Sequence, residues 1–126
     1  MKEYDLVIVG AGSGNMIPGP EHDDWKIAIV EKNHFGGTCL NSGCIPSKML
    51  LQSAQVADTV NDARKFGVDA TFNKVDWKRV TGRVWDRIDP ISANGEDWRE
   101  KQPNTTVYKG EGRFVAPKVI EVNGEQ

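Results

Sequence analysis

Tyr4-Asp5-Leu6-Val7-Ile8-Val9-Gly10-Ala11-Gly12-Ser13-Gly14-Asn15 decides the fold, because an unbroken apolar run feeds directly into a glycine-rich turn. Apolar residues on both faces of a short run predict a buried parallel strand. After it, Gly10 permits a tight turn, Gly12 lets backbone approach a pyrophosphate, and the start of a following helix supplies free N–H groups for phosphate oxygens. A second apolar run, Lys26-Ile27-Ala28-Ile29-Val30, ends at Glu31, about 20 residues beyond Gly10, where a dinucleotide fingerprint wants an acid for ribose hydroxyls. A glycine trio alone also fits a generic turn. Strand, turn, strand and acid in this order favour dinucleotide binding and an α/β fold of doubly wound, Rossmann-like type, with a parallel sheet and added hairpin strands. Two features depart from the fingerprint. Its third glycine falls on Asn15, and Pro18, Gly19 and Pro20 interrupt the crossover helix within two turns.

Beyond Glu31 lies the second informative segment, Gly36-Gly37-Thr38-Cys39-Leu40-Asn41-Ser42-Gly43-Cys44-Ile45-Pro46-Ser47-Lys48, which holds the only two cysteines of the chain. Five positions along a regular helix span about 7.5 Å of rise, more than the usual Cα separation across a disulfide, so a bridge needs a bent backbone. Asn41 and Gly43 tolerate unusual backbone angles, and Pro46 can open a regular helix just after the second sulfur. Closing so short a loop contributes only about 2 kcal/mol of loop-closure stabilisation, which argues for redox use over stapling. At a helix start, with Lys48 one turn on, Cys44 would favour the thiolate. The plainer readings are two unrelated buried thiols, or half a zinc site completed by His22 and His34. The spacing of these residues matches no standard zinc motif.

Gly36 to Lys48 matches without a mismatch the GGTCLNxGCxPSK signature of the flavoprotein disulfide reductases, so the chain resembles the N-terminal part of that family. Within the group, Gly12-Ser13-Gly14-Asn15, the shortened crossover and Arg87-Ile88-Asp89-Pro90-Ile91 are similar to the mycothione reductase branch, with dihydrolipoyl dehydrogenase as the nearest rival. The resemblance implies a homodimeric FAD enzyme that takes hydride from NADPH and reduces a low-molecular-weight disulfide. By motif position it implies that Cys39 attacks substrate, that Cys44 lies against the flavin, and that Lys48 sits near the flavin's reactive nitrogen. Gly10, Gly12, Gly14, Gly37 and Thr38 would line the pyrophosphate, Glu31 would hold the adenosine ribose, Lys32 and Cys39 would also contact the cofactor, and Gly112 would contact adenine. It also implies that residues 1–126 are an incomplete FAD-binding domain. The remainder, the nicotinamide domain and the dimerisation domain with its acid-base histidine would follow, and this part alone would not turn over substrate. A rival of another class is a non-catalytic module that binds a nucleotide or zinc.

The rest of the chain reads as scaffold. Leu50, Ala54, Ala57 and Val60 recur at helical spacing, with Gly67 as C-cap. A second helix is expected from Asp76, presenting Trp77, Val80, Val84, Ile88 and Ile91 until Pro90 bends or stops it. Trp77 and Trp85 are expected to pack, with a cleft-lining role as the alternative, and Arg79, Arg83 and Arg87 to pair with acids such as Asp76 and Asp86. Lys118 to Val122 reads as a strand entering an Asn123-Gly124 turn whose returning strand lies beyond the sequence. A net charge of -2 with mixed signs provides no footprint for nucleic acid, and no apolar stretch is long enough to span a bilayer. Met1-Lys2-Glu3-Tyr4 leads into a strand instead of a signal peptide, which sets the expectation of a cytoplasmic protein.

Overall fold

A computed structural model describes residues 1–126 throughout. Three parallel strands, β1 (Leu6–Val9), β2 (Ile27–Glu31) and β3 (Thr105–Lys109), form one sheet in the order β1-β2-β3. Leu6 stands opposite Ile27, and Ile27 opposite Thr105. β3, with its alternating Thr105-Thr106-Val107-Tyr108, was not anticipated from sequence, since it lacks the continuous apolar run of the other two. Its place at the sheet edge explains this: only β2 is flanked on both sides, and its first four residues are all buried. β1 is the opposite edge. Of its residues only Ile8 is buried, while Val7 and Val9 are exposed, so the reading of a fully buried first strand is corrected to a half-covered edge.

One sheet face carries the core, in which Ile8, Ala11, Ile27, Ile29 and Phe35 pack together with Leu6 and Val107 against them. One short helix and two long ones connect β2 to β3: α1 (Gly37–Ser42), α2 (Cys44–Asp62) and α3 (Trp77–Glu100). α3 packs on α1, α2 and β3. Val84, Ile88, Ser92 and Arg99 are its buried positions, and their spacing of four, four and seven keeps one stripe inward. Asp76 caps α3 by accepting the Arg79 N–H at 3.0 Å. Pro90 does not stop the element. The helix runs ten residues past it, and Pro90 itself is exposed, so the orphaned carbonyl one turn back is on the solvent side.

Against the other face of the sheet lies an antiparallel hairpin of β4 (Arg113–Ala116) and β5 (Val119–Glu121). Gly112, just before β4, sits so close to the sheet that a Cβ there would come within 3.0 Å of Val30 Cγ1. The expected Asn123-Gly124 turn is present with φ of 54° and 82°, both positive as a type I′ turn requires. Its return is a single bridge, in which Val122 and Glu125 exchange N–H···O bonds of 2.9 Å. Gly67 caps the helical run that begins at Cys44, with φ of 76°.

Candidate functional site

Two loops meet at the C-terminal ends of β1 and β2. The first, Gly10 to Asn15, leaves β1 through Gly10, whose φ of +95° is open to glycine and strained for other residues. A Cβ at Gly10 would meet no protein atom within 4 Å, so the backbone angle alone demands glycine. The crossover helix that Pro18, Gly19 and Pro20 were expected to interrupt is absent. In its place stand two 3-10 turns, Ser13–Met16 and Pro20–His22, as the prolines dictate. The second loop, Asn33 to Gly37, leaves β2. Its Gly36 N–H donates to Ala11 O at 2.8 Å, and a Cβ on Gly37 would lie 2.7 Å from Gly12 Cα. The two glycine loops therefore touch backbone to backbone, a packing that requires glycine at Gly37, whereas a Cβ on Gly12 would stand 3.6 Å from Gly37 Cα.

Glu31 ties this junction together. Its carboxylate accepts the Ala11 N–H and the Asn33 N–H, each at 2.7 Å, leaving about two of four lone-pair sites for a further donor. Around the junction opens a cleft of about 860 Å³, bounded by Gly10, Gly12, Gly14, Glu31, Lys32 and Gly37, with Thr38, Cys39 and Gly112 also on its wall. Every cofactor-contact residue expected from sequence is thus on this wall except Cys44, expected against the flavin, and Lys48, which is exposed on α2 and makes no ion pair. The wall also includes Asn33, Gly110 and Glu111, which sequence reading did not single out, and His34, which it weighed only as a zinc ligand.

Cys39 lies in α1, and Cys44 is the first residue of α2, two residues earlier than the helix start expected at Pro46. The bend between them is at Gly43, with φ of -133° and ψ of -112°, and a Cβ there would meet Thr38 O at 2.9 Å. Asn41 works differently from the expectation. It stays helical, and its Nδ2 donates to Phe35 O at 2.9 Å and Gly37 O at 3.0 Å, bracing the entry to α1. From α3, Ser92 Oγ adds a 2.6 Å bond to Phe35 O. Both cysteines are exposed free thiols, which overturns the reading of two buried ones. Hydrogen bonding to Cys44, together with burial, pushes the Cys39 thiol above the ordinary cysteine range. Cys39 lines the cleft and Cys44 does not.

The zinc alternative loses its ligands. His22 Nδ1 accepts the Gly19 N–H at 3.3 Å and its ring packs edge-on against Trp25, and no three His, Cys, Asp or Glu side chains converge. Trp77 and Trp85 are exposed, against the expected packing, and neither lines this cleft. The arginine row does not pair with Asp76 or Asp86; instead Arg83 donates to Met49 O at 2.9 Å and Ser53 Oγ at 3.2 Å on α2.

Residues 4–126 match the family described as pyridine nucleotide-disulphide oxidoreductase. The chain belongs to that family. Among curated members, mycothione reductase of Mycobacterium tuberculosis is 47% identical over 114 residues, 90% of this chain and 25% of that protein. Dihydrolipoyl dehydrogenase of Bacillus subtilis is 39% identical over 120 residues, covering 94% of this chain and 25% of that one. A solved oxidoreductase of the family, an HOCl-induced flavoprotein disulfide reductase from Escherichia coli studied as a Cu(II) complex, superposes with a TM-score of 0.76 at 25% identity, over 98% of this chain and 25% of that one. The chain thus spans about a quarter of the length of the relatives it matches.

Proposed function

We propose that this chain is the N-terminal part of the FAD-binding domain of a disulfide reductase that uses NADPH to reduce mycothione, and that the whole protein acts as a cytoplasmic homodimer. The observation that carries the reading is one cleft walled by both glycine loops and Cys39, with Cys44 across a single bent glycine from α1. The residues fit a dinucleotide. The volume is in the range of cofactor clefts, the backbone of Gly12 and Gly37 leaves no side chain between a pyrophosphate and the loop, and Glu31 retains acceptors for ribose hydroxyls. Gly10, Gly12, Gly14, Gly37 and Thr38 are assigned to the pyrophosphate, Glu31 and Lys32 to the ribose, and Gly112 to the adenine end. Lys48 is assigned to the flavin end, outside the wall this chain completes. Bound there, FAD would supply the electron pair.

The thiol steps belong to the chain itself. The Cys39 thiolate attacks one sulfur of the substrate disulfide, forming a mixed disulfide and releasing the first thiol. The Cys44 thiolate then attacks the Cys39 sulfur, releasing the second thiol and closing the Cys39–Cys44 bridge. Two electrons have passed from the dithiol to the substrate, and each departing thiolate takes up one proton. Gly43 makes this closure feasible, because its bend frees the pair from the rise of one continuous helix. The raised thiol of Cys39 means that the first attack needs proton removal, the task assigned to a histidine in another part of the full-length protein.

The test is anaerobic titration of the full-length protein with NADPH, followed by assay with mycothione against assay of dihydrolipoamide with NAD. Flavin reduction and preference for mycothione support the proposal. Preference for the second pair would transfer it to the dihydrolipoyl dehydrogenase reading, which the 39% identity to the Bacillus subtilis enzyme favours.

A further inference from the structure

The 3-10 turn Ser13–Met16 ends where a crossover helix would have continued, and Pro18-Gly19-Pro20 prevents any later N–H from reaching back to the carbonyl of Asn15 in helical fashion. That carbonyl has a partner from far along the chain. Arg99, in the last turn of α3, donates from Nη2 to Asn15 O and from Nε to Asn15 Oδ1, the latter at 2.8 Å. The guanidinium also lies 4.4 Å from the centroid of the Trp98 ring. Arg99 is 6% exposed and makes no ion pair. Burying a cation on two neutral acceptors is costly, and burial lowers its proton affinity. Three neighbouring acids, Glu96, Asp97 and Glu100, are taken instead by Lys101 and Lys109.

We propose that Arg99 is a positioning residue that replaces the missing crossover helix. Its planar fork grips both oxygens of Asn15 and so holds the Gly10–Asn15 turn in the form that receives a pyrophosphate. The side chain acts through Asn15, since Arg99 does not line the cleft. Asn15, in the place of the fingerprint's third glycine, is thereby explained: glycine would offer the carbonyl alone, and asparagine offers the second acceptor that a guanidinium fork requires. The anchoring rests on geometry alone, whereas its purpose rests on the reading of this turn as the pyrophosphate site.

Full-length protein carrying Arg99→Met, Arg99→Lys or Asn15→Ala tests it with two readouts. In flavin-free protein, hydrogen exchange at the amides of Gly12 to Asn15 is expected to accelerate about tenfold or more in Arg99→Met while the β2 amides keep their protection. After reconstitution, the dissociation constant for FAD is expected to rise about tenfold in Arg99→Met and less in Asn15→Ala. Arg99→Lys keeps the charge without the fork and is expected to fall between wild type and Arg99→Met. Unchanged exchange in the turn, or full rescue by lysine, would overturn the proposal, as would an FAD affinity within twofold of wild type in Arg99→Met. Should Arg99→Met fail to fold, Asn15→Ala and Arg99→Lys carry the same comparison. If the wild-type protein takes up no FAD while the turn still loosens in the variants, the anchoring stands and the cofactor reading falls.

Discussion

The two glycine loops of the cleft touch each other, yet they are held by different means. Gly36 to Cys44 is braced chiefly from within: Asn41 reaches back to Phe35 and Gly37, Ser92 adds one bond to Phe35 from α3, and the segment opens into the 19 residues of α2. Gly10 to Asn15 lacks a helix to lean on and is held by groups remote in sequence, with Glu31 at one end and Arg99 at the other. On the proposed thiol steps, local bracing suits a segment whose sulfurs would keep one geometry while bonds between them form and break. Remote bracing makes the cofactor turn depend on the whole domain being assembled, because its partners come from β2 and the end of α3.

That contrast can be broken most severely at the sulfurs. Cys39→Ser or Cys44→Ser in the full-length protein is expected to abolish disulfide reduction while leaving flavin bound, measured as thiol release against flavin absorbance. Wild-type rates in either variant would refute the assigned roles, because residues 1–126 hold no other cysteine to substitute.

Comparing glycine with alanine in the two loops sharpens the contrast. Gly37→Ala must accommodate both a φ of +62° and a Cβ 2.7 Å from Gly12 Cα, for an expected cost of roughly 2 to 5 kcal/mol. Gly10→Ala meets no atom and carries the backbone strain alone, roughly 1 to 2 kcal/mol. The unfolding midpoint followed by flavin fluorescence checks the order, and equal shifts would show that the loops do not press on one another. Asn41→Ala is smaller again, about 1 kcal/mol for a half-buried amide. It is expected to disturb the reactivity of Cys39 and leave exchange in the Gly12–Asn15 turn unchanged.

The smallest effect concerns pH. Because Cys44 is the leading cause of the raised Cys39 thiol, alkylation of Cys39 in reduced protein should reach half its maximal rate at a higher pH than in a free cysteine peptide. Cys44→Ala should move that midpoint down. The sign for stability is the same: the contribution is present below the ordinary cysteine pKa and is lost as pH rises through the raised value. Peptide-resolved mass spectrometry of the alkylated residue measures the midpoint, and no change in Cys44→Ala would remove the sulfur contact as its cause.

Much of this site was legible because its chemistry is local. The strand-turn pair at Val9 and Gly10, the acid at Glu31 and the bend at Gly43 each follow from a few consecutive residues and the backbone angles they allow. The type I′ turn at Asn123-Gly124 was legible for the same reason. β3 was not, since an edge strand needs no continuous apolar run, and the length of α3 was not, since Pro90 stops a helix only where the lost N–H bond and its carbonyl cannot find water.

The amino-acid sequence by itself determined the family signature, the two glycine turns, the cysteine pair and the absence of an ordinary crossover helix. Each of these depends on short-range sterics and on which residues stand side by side. Only the tertiary structure decided that Gly12 and Gly37 meet, that Cys39 and not Cys44 faces the cleft, and that Arg99 closes on Asn15 across 84 positions of chain. Those pairings arise when β1 and β2 align and α3 packs down over them, and burial then selects partners that no local pattern of residues can name.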